Sequence, residues 1–397
     1  MKKVEWREKK TSLGNAIIIG AVMAVLGVFV GMNYDTWFNQ FAPLLGLTNR
    51  KTSDMDWTPL NEVYNQLTTS YNGEIKKSDI LDGAKKGMVE ALGDDYTAYM
   101  NAERSSDFYN DLHGNVGSGI GVEVGVRDGY VRVLRTLPDN PALRAGILAG
   151  DIIFKIDGEE VWALTADEVA VKVRGETGTN VEVTVVRNGK EITFNLVREK
   201  INNVSAYVEY DGTTAIVHIT RFDEDTGKKV QEMAKEFASK NVSKVILDLR
   251  NNGGGYVSAA QELLALWIDN QTVVQQKSKH YGDTESKTIS GKAILRNMNT
   301  VVLVNGSTAS AAEIVAGAFQ DYGIAKIVGE KTYGKGVVQG LYNLSDGGTL
   351  KVTIAEWQTR KGRSINGIGI TPDIEVTRTY EDINAMRDPQ LDKAKEL

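Results

Sequence analysis

Residues 245–255 read VILDLRNNGGG and residues 301–321 read VVLVNGSTASAAEIVAGAFQD, and these two stretches decide the fold. Each opens as an apolar run of strand length, crosses a turn of small and polar residues, and continues with helical spacing. The same order recurs over residues 201–380: AIVHITRF, a helix near 226–240, KVILDLR, a helix near 257–268, TVVLVN, and a helix near 311–321. Such alternation predicts an α/β layer in which helices pack on a sheet.

The rest of the chain is bounded by size and composition. At 397 residues it is too long for one ordinary domain, so about two or three folded units are expected. Apolar residues make up 42% and charged residues 25%, as in globular proteins. A net charge of −6 argues against a nucleic-acid partner. Cysteine is absent, which removes disulfides, zinc–thiolate sites and a Cys nucleophile together. The three histidines, His113, His218 and His280, leave little room for His-based catalysis.

Upstream, residues 11–34 carry no charge and contain IIIGAVMAVLGVFVG. That length crosses a hydrocarbon core of about 30 Å as a helix. Lys2, Lys3, Arg7, Lys9 and Lys10 precede it, whereas Trp37 and Phe38 follow and no basic residue comes before Arg50. The positive-inside rule makes residues 1–10 a cytoplasmic tail and places everything after residue 35 outside the cell membrane. The V-G-M-N-Y that ends the run offers no small-x-small cleavage site, so an uncleaved single-pass anchor is predicted. Residues 35–54 read as a linker. Residues 55–103 read as a helical region, with Leu60, Val63, Tyr64 and Leu67, then Ile80, Met88 and Leu92, at helical steps. Its apolar face is for packing or for forming a homodimer.

Residues 115–200, within a domain bounded at 104–200, change character. GIGVEVGV and YVRVLRTL alternate like strands, PALRAGI gives a short helix, and GDIIFKIDGEEV a strand ending in an Asp157–Gly158 turn. ADEVAVKVRG reads as a helix, and VEVTVVRNG with KEITFNLV as a hairpin around Asn188–Gly189. This order resembles a PDZ domain of the circularly permuted bacterial kind, an α+β module.

Three segments carry candidate chemistry. Thr308-Ala309-Ser310-Ala311-Ala312 is all small, which lets a substrate backbone approach closely. A serine at a helix N-terminus lies beside unpaired N–H groups that can hold an oxyanion. Ser307, Thr308 and Ser310 are equally good N-caps, and from this segment alone the capping role leads. Downstream, IVGEKTYGKGVVQG sets Lys335 between two glycines. A lysine is a base only when neutral, and half-neutrality near pH 7.4 needs a shift of about 3 units, roughly 4 kcal/mol, which burial supplies. Gly253, Gly254 and Gly255 can form a nest of N–H groups, although a tight strand–helix turn explains them as well.

Taken together, LDLRNNGGG, TASAAEIVAGAFQD, GEKTYGKGVVQ and GIGITPDIEV resemble the carboxyl-terminal processing (tail-specific) proteases. The likeness runs from the anchor through the PDZ-like module to DPQLDKAKE in the tail at 381–397, read as helical. It implies a multidomain chain with a protease core of the ClpP/crotonase-like α/β kind at 201–380, a Ser–Lys dyad, and no metal or cofactor. The nucleophile falls on Ser310, the general base on Lys335, and the glutamine that positions the lysine on Gln339. The oxyanion hole falls on Ala311 with Gly254 or Gly255, and Asp321 matches a structural acid on the serine-bearing helix. Ala312 and Gly253 depart from residues common in the family without touching nucleophile or base. The PDZ module is expected to capture flexible polypeptide C-termini along Gly119, Ile120, Gly121 and Val122, with an apolar terminal side chain preferred. Arg174, at the end of its helix, is the candidate for coupling capture to the active site.

Other readings fit less well. Gly329 to Lys335 spells G-x-x-x-x-G-K, but Gly336 stands where a P-loop needs Ser or Thr, and a strand pattern follows. G-x-S-x-G, G-N-S-G-G and H-E-x-x-H are absent, which disfavours a His-dependent hydrolase. A catalytically silent PDZ scaffold on a membrane tether is the remaining alternative.

Overall fold

The computed structural model describes residues 55–397, Asp128 and Met386 aside. The predicted cytoplasmic tail, anchor and linker therefore lie outside the described residues. Among the described residues no helix is long and apolar enough to cross a membrane. The described residues fall into two units, divided between Lys76 and Lys77.

In the first unit, helix α1 spans Thr58–Ser70 with a proline in its first turn. The spacing of Leu60, Val63 and Leu67 does form a helix, but all three side chains are exposed.

The second unit opens with α2 (Lys77–Glu90), β1 (Ala98–Met100) and α3 (Ala102–Leu112). The sequence reading missed α3, whose segment AERSSDFYNDL contains few apolar residues. Its start is fixed locally, because the Asn101 side chain accepts from Arg104 N at 3.0 Å.

The PDZ module follows: β2 (Ser118–Gly119), β3 (Val122–Arg127), β4 (Tyr130–Thr136), α4 (Pro141–Ala145), β5 (Ile152–Ile156), β6 (Glu159–Glu160), α5 (Ala166–Val173), β7 (Asn180–Arg187), β8 (Lys190–Val197) and β9 (Glu199–Lys200). Strands β3-β4-β5-β7-β8 form an antiparallel sheet. Both predicted turns take the left-handed pairs that two-residue hairpin loops need: Asp157 and Gly158 at φ 50° and 80°, Asn188 and Gly189 at φ 53° and 73°. Ile120, Val133, Ile153, Val169 and Val183 fill its core.

The remaining core contains β10 (Ala206–Asp211), β11 (Thr214–Ile219), α6 (Thr226–Glu236), β12 (Lys244–Asp248), α7 (Val257–Leu264), β13 (Thr272–Lys277), β14 (Thr284–Lys287), β15 (Asn299–Val304), α8 (Ala311–Tyr322), β16 (Ala325–Gly329), β17 (Val337–Asn343), β18 (Thr349–Thr359) and β19 (Ile374–Glu375). The chain closes with α9 (Tyr380–Asn384) and α10 (Pro389–Glu396). One sheet runs β10-β11-β12-β15-β16-β19, parallel except for β10, and β18 is the centre of a second, antiparallel sheet with β1, β13, β14 and β17. Helix α8 is apolar on nearly every side, and ten of its twelve residues are buried. A helix buried all round needs partners on both faces, and Ile327 of the first sheet and Trp357 of the second share its core.

The parallel strands end in charge. Arg250 binds both Asp248 (2.9 and 2.7 Å) and Asp388 (2.8 and 2.9 Å), tying the N-cap of α10 to the end of β12. His218 of β11 stacks on Tyr207 with ring centroids 4.5 Å apart, and lies 3.5 Å from Asp248 and 3.7 Å from Glu209. Burial disfavours its charge, yet the two carboxylates outweigh that, and its pKa is raised to about 9. In the unfolded chain the value is about 6.5. The folded value is the higher, so the protonated ring stabilises the fold fully below about pH 6.5, and that contribution is lost as pH rises through about 9. His218→Gln is expected to destabilise the chain in urea unfolding near neutral pH, with the gap to the parent narrowing toward about pH 9.5. A gap of constant size across that window would refute the assignment.

Candidate active site

Two loops at the carboxyl ends of β12 and β15 are stitched together by amide and hydroxyl groups. Asn305 Nδ2 donates to Asn251 Oδ1 at 2.8 Å, and Asn251 N returns a bond to Asn305 Oδ1 at 2.9 Å. Thr308 Oγ1 donates to Leu249 O at 2.9 Å, and Ala309 N to Asn252 O at 2.9 Å. Thr308 is thus committed to joining the loops. Ser310 follows at the N-cap of α8 with φ 55° and ψ −119°, a left-handed conformation strained for a residue with a Cβ.

That strain is held by Glu313. Its carboxylate is fully buried and accepts Ser310 N (2.8 Å) and Lys335 N (2.9 Å) on Oε2. Oε1 accepts Gly334 N (2.7 Å) and the Thr332 hydroxyl (2.6 Å). Four donors occupy the four lone-pair directions of an ionised carboxylate. One side chain therefore fixes the backbone of both Ser310 and Lys335. The sequence reading passed over Glu313, since an acid three residues into a helix looks like an ordinary capping residue.

Glycines admit Lys335 to this spot, as expected. A Cβ on Gly334 would lie 2.9 Å from Gly369 N, and one on Gly336 2.5 Å from Asn366 N. Trp357 Nε1 donates to Lys335 O at 3.1 Å. The ammonium sits 5.6 Å from the centroid of the Tyr96 ring. Burial holds the Lys335 pKa below its usual 10.5, the positive charge of Lys351 adds to the effect, and Glu313 opposes it. Among the described residues no hydrogen bond joins Ser310 Oγ to Lys335 Nζ. Gln339 also makes no bond to the lysine. Its amide donates to Tyr96 O, on the residue whose ring lies beneath the ammonium. Asp321 accepts Lys361 N at 3.1 Å and pairs with Arg363, a bracing role.

The glycine turn separates the two oxyanion candidates. Gly254 lies against the serine, where a Cβ would come 2.8 Å from Ser310 Cβ and 3.0 Å from Ala311 N. Its own N–H is taken by Asn252 Oδ1 at 2.8 Å, which corrects the expectation that Gly254 offers a donor. Among the described residues no acceptor faces the N–H of Gly255 or Ala311. The P-loop reading fails on the same ground, since the N–H groups of Gly334 and Lys335 are spent on Glu313.

A groove of about 380 Å³ runs along the PDZ module, lined by Gly119, Ile120, Gly121, Val122, Val173 and Arg174 and closed by residues of the core. Gly121 (φ 78°) packs so tightly that a Cβ would lie 2.2 Å from Asn140 Cβ. The backbone of Arg174 borders Gly119, with Cα 3.8 Å from a Cβ built there.

Comparison with known proteins agrees with this organisation. The model of peptidase family S41 matches residues 213–376, that of a PDZ domain residues 118–197, and that of the activating protease CtpB N-terminal domain residues 21–104. A CtpA-like serine protease of Staphylococcus aureus is 32% identical over 386 residues, covering 96% of this chain and 75% of the relative. One from Staphylococcus saprophyticus is 31% identical over 373 residues, covering 93% and 74%. Among solved structures, the photosystem II D1 C-terminal processing protease superimposes with a TM-score of 0.57 at 28% identity, over 81% of this chain and 87% of that one. An S41 protease of Bacteroides fragilis shares the fold, with a TM-score of 0.55 at 14% identity over 83% and 92%.

The four bonds to Glu313 have a measurable consequence. Glu313→Gln turns one acceptor into a donor facing donors, and is expected to destabilise the chain by about 2–4 kcal/mol in chemical denaturation. Thr332→Val removes one of the four donors and also the acceptor of Ile370 N at 2.6 Å, and should cost about 1–3 kcal/mol. A loss under about 1 kcal/mol in Glu313→Gln would count against the four-donor description.

Proposed function

The chain belongs to peptidase family S41, and from that premise we propose that it is a serine endopeptidase cutting flexible polypeptides near their C-termini. The observation that carries this is the single carboxylate that anchors the backbone of both Ser310 and a half-buried Lys335. Ser310 Oγ is the nucleophile. Lys335, neutral, takes its proton during attack on the peptide carbonyl and returns it to the leaving amine. Ala311 N–H, at the positive end of α8, and Gly255 N–H receive the oxyanion. Gln339, through Tyr96, sets the depth of the ammonium. The four-carbon stem of lysine is flexible enough for the ammonium to swing to the hydroxyl when substrate arrives.

The substrate tail enters the PDZ groove as an added strand, its carboxylate on the nest at Gly119, Ile120 and Gly121 and its terminal side chain among Ile120, Val122 and Val173. Arg174 couples this capture to the site. Residues 11–34 anchor the chain in the cell membrane, with the protease outside; the uncharged run and its basic flank support this reading. The chain should stay with membranes after alkaline washing and be cut by protease added outside intact cells, and its release by the wash would oppose the anchor.

One observation favours the alternative of a silent PDZ scaffold, namely the missing bond between Ser310 and Lys335. The full-length chain in mild detergent decides between them. Given a disordered polypeptide with an apolar end, the parent should cut it, while Ser310→Ala and Lys335→Ala should each lose about a thousandfold or more. If the parent only binds, the scaffold reading holds. Because the active lysine is neutral, the rate should rise with pH along a limb centred below 10.5. Lys351→Gln removes a charge that disfavours the ammonium, so the limb should move to higher pH. A limb that stays in place or moves down would contradict Lys335 as the base.

A further inference from the structure

The PDZ groove is not built by the PDZ module alone. Arg221, which follows β11 in the core, forms part of its wall. Its Nη2 donates to Asn203 O at 2.6 Å, on the segment joining the two modules, and to Asp223 Oδ2 at 3.0 Å. Gly114 lies flat on the guanidinium, where a Cβ would come 2.4 Å from Cζ. The other two nitrogens, Nε and Nη1, are buried and have no hydrogen-bond partner.

That is an unusual state for a guanidinium, which stays charged at all physiological pH and wants an acceptor for each N–H. Asp223 does not fill the need, because its carboxylate also serves Ser205 Oγ (2.9 Å), Thr226 Oγ1 (2.8 Å), Asp225 N (3.1 Å) and the nearby Lys229 ammonium (3.6 Å). Burial lowers the Arg221 pKa, Asp223 opposes this, and Arg135 across the groove disfavours its charge further. Arg135 is itself engaged by Glu123, and Asp111 and Arg174 are the other charged residues of the wall. The wall of the groove thus holds a cation with two solvent-shielded donors that nothing among the described residues satisfies.

We propose that Arg221 is a specificity-determining residue of the groove, binding a carboxylate of the captured tail and so reading substrate from the protease side. This rests on the groove being the tail-binding site. Two sources share the chemistry: the terminal carboxylate, and an acidic side chain just upstream of an apolar terminal residue. Either would supply the missing acceptors once the shielded guanidinium turns toward the groove, and either would be held by the PDZ module and the core at once.

The test uses the full-length Ser310→Ala chain in detergent, with fluorescent tail peptides and anisotropy as readout. Four peptides share one apolar terminal residue: Glu or Gln upstream of it, each with a free or an amidated end. Arg221→Gln is expected to weaken the peptide that carries the recognised carboxylate about tenfold, and to leave its neutral counterpart unchanged. Arg221→Lys, which keeps the charge, should recover part of the loss, and thermal unfolding of both variants reports whether the fold is intact. If Glu matters and the free end does not, the acidic side chain is the ligand; the reverse pattern assigns the terminal carboxylate. Equal weakening of all four peptides, or none, overturns the proposal. If the parent binds none of them, the tail-binding reading of the groove falls and takes the proposal with it.

Discussion

A single buried carboxylate organises this protein's candidate active site. Glu313 lies one turn inside α8 and receives four hydrogen bonds, two from the residues proposed for catalysis and two from the loop before Lys335. Ser310 is kept in a left-handed conformation that it would otherwise leave. Strain of that kind, of order 1–3 kcal/mol, persists only where the surroundings over-determine the backbone. The surroundings here are the Glu313 bond in front and the Thr308–Leu249 and Ala309–Asn252 bonds behind.

The fold supplies that grip because parallel strands bring their carboxyl ends to one edge. β12 and β15 are neighbours in register, Asp248 opposite Leu303, so the loops that follow them start side by side. The Asn251–Asn305 exchange then closes the gap. Helix α8, buried between two sheets, is rigid enough to aim its first turn at a fixed point. Sites set on such elements keep their geometry better than sites carried by loops alone.

Much of this was legible in the sequence. Strand and helix order in the core followed from apolar runs and spacing, and the PDZ hairpins from Asp157–Gly158 and Asn188–Gly189. What stayed hidden were partners set by tertiary contact. Glu313 carries no local mark that separates a cap from a four-bond anchor. Gln339 stands four residues from Lys335, yet its amide bonds to Tyr96 O, far away in sequence. Helix α3 was missed because few of its residues are apolar. Gly254 and Gly255 look alike in sequence, and only the Asn252 side chain tells them apart. Arg221 is one arginine among many until a groove forms around it.

Burial lowers the Lys335 pKa even though a buried acid lies close by. A carboxylate within reach normally captures an ammonium and raises its pKa. Glu313 does raise it, but more weakly than burial and Lys351 together lower it. The reason lies in the lone pairs. An ionised carboxylate offers about four acceptor directions, and Ser310 N, Lys335 N, Gly334 N and the Thr332 hydroxyl take them all. The Lys335 side chain is left to the Tyr96 face, 5.6 Å from its centroid, where attraction is modest. Neutral donors thus hold the acid's charge in place, and it anchors the lysine by its backbone without binding the ammonium.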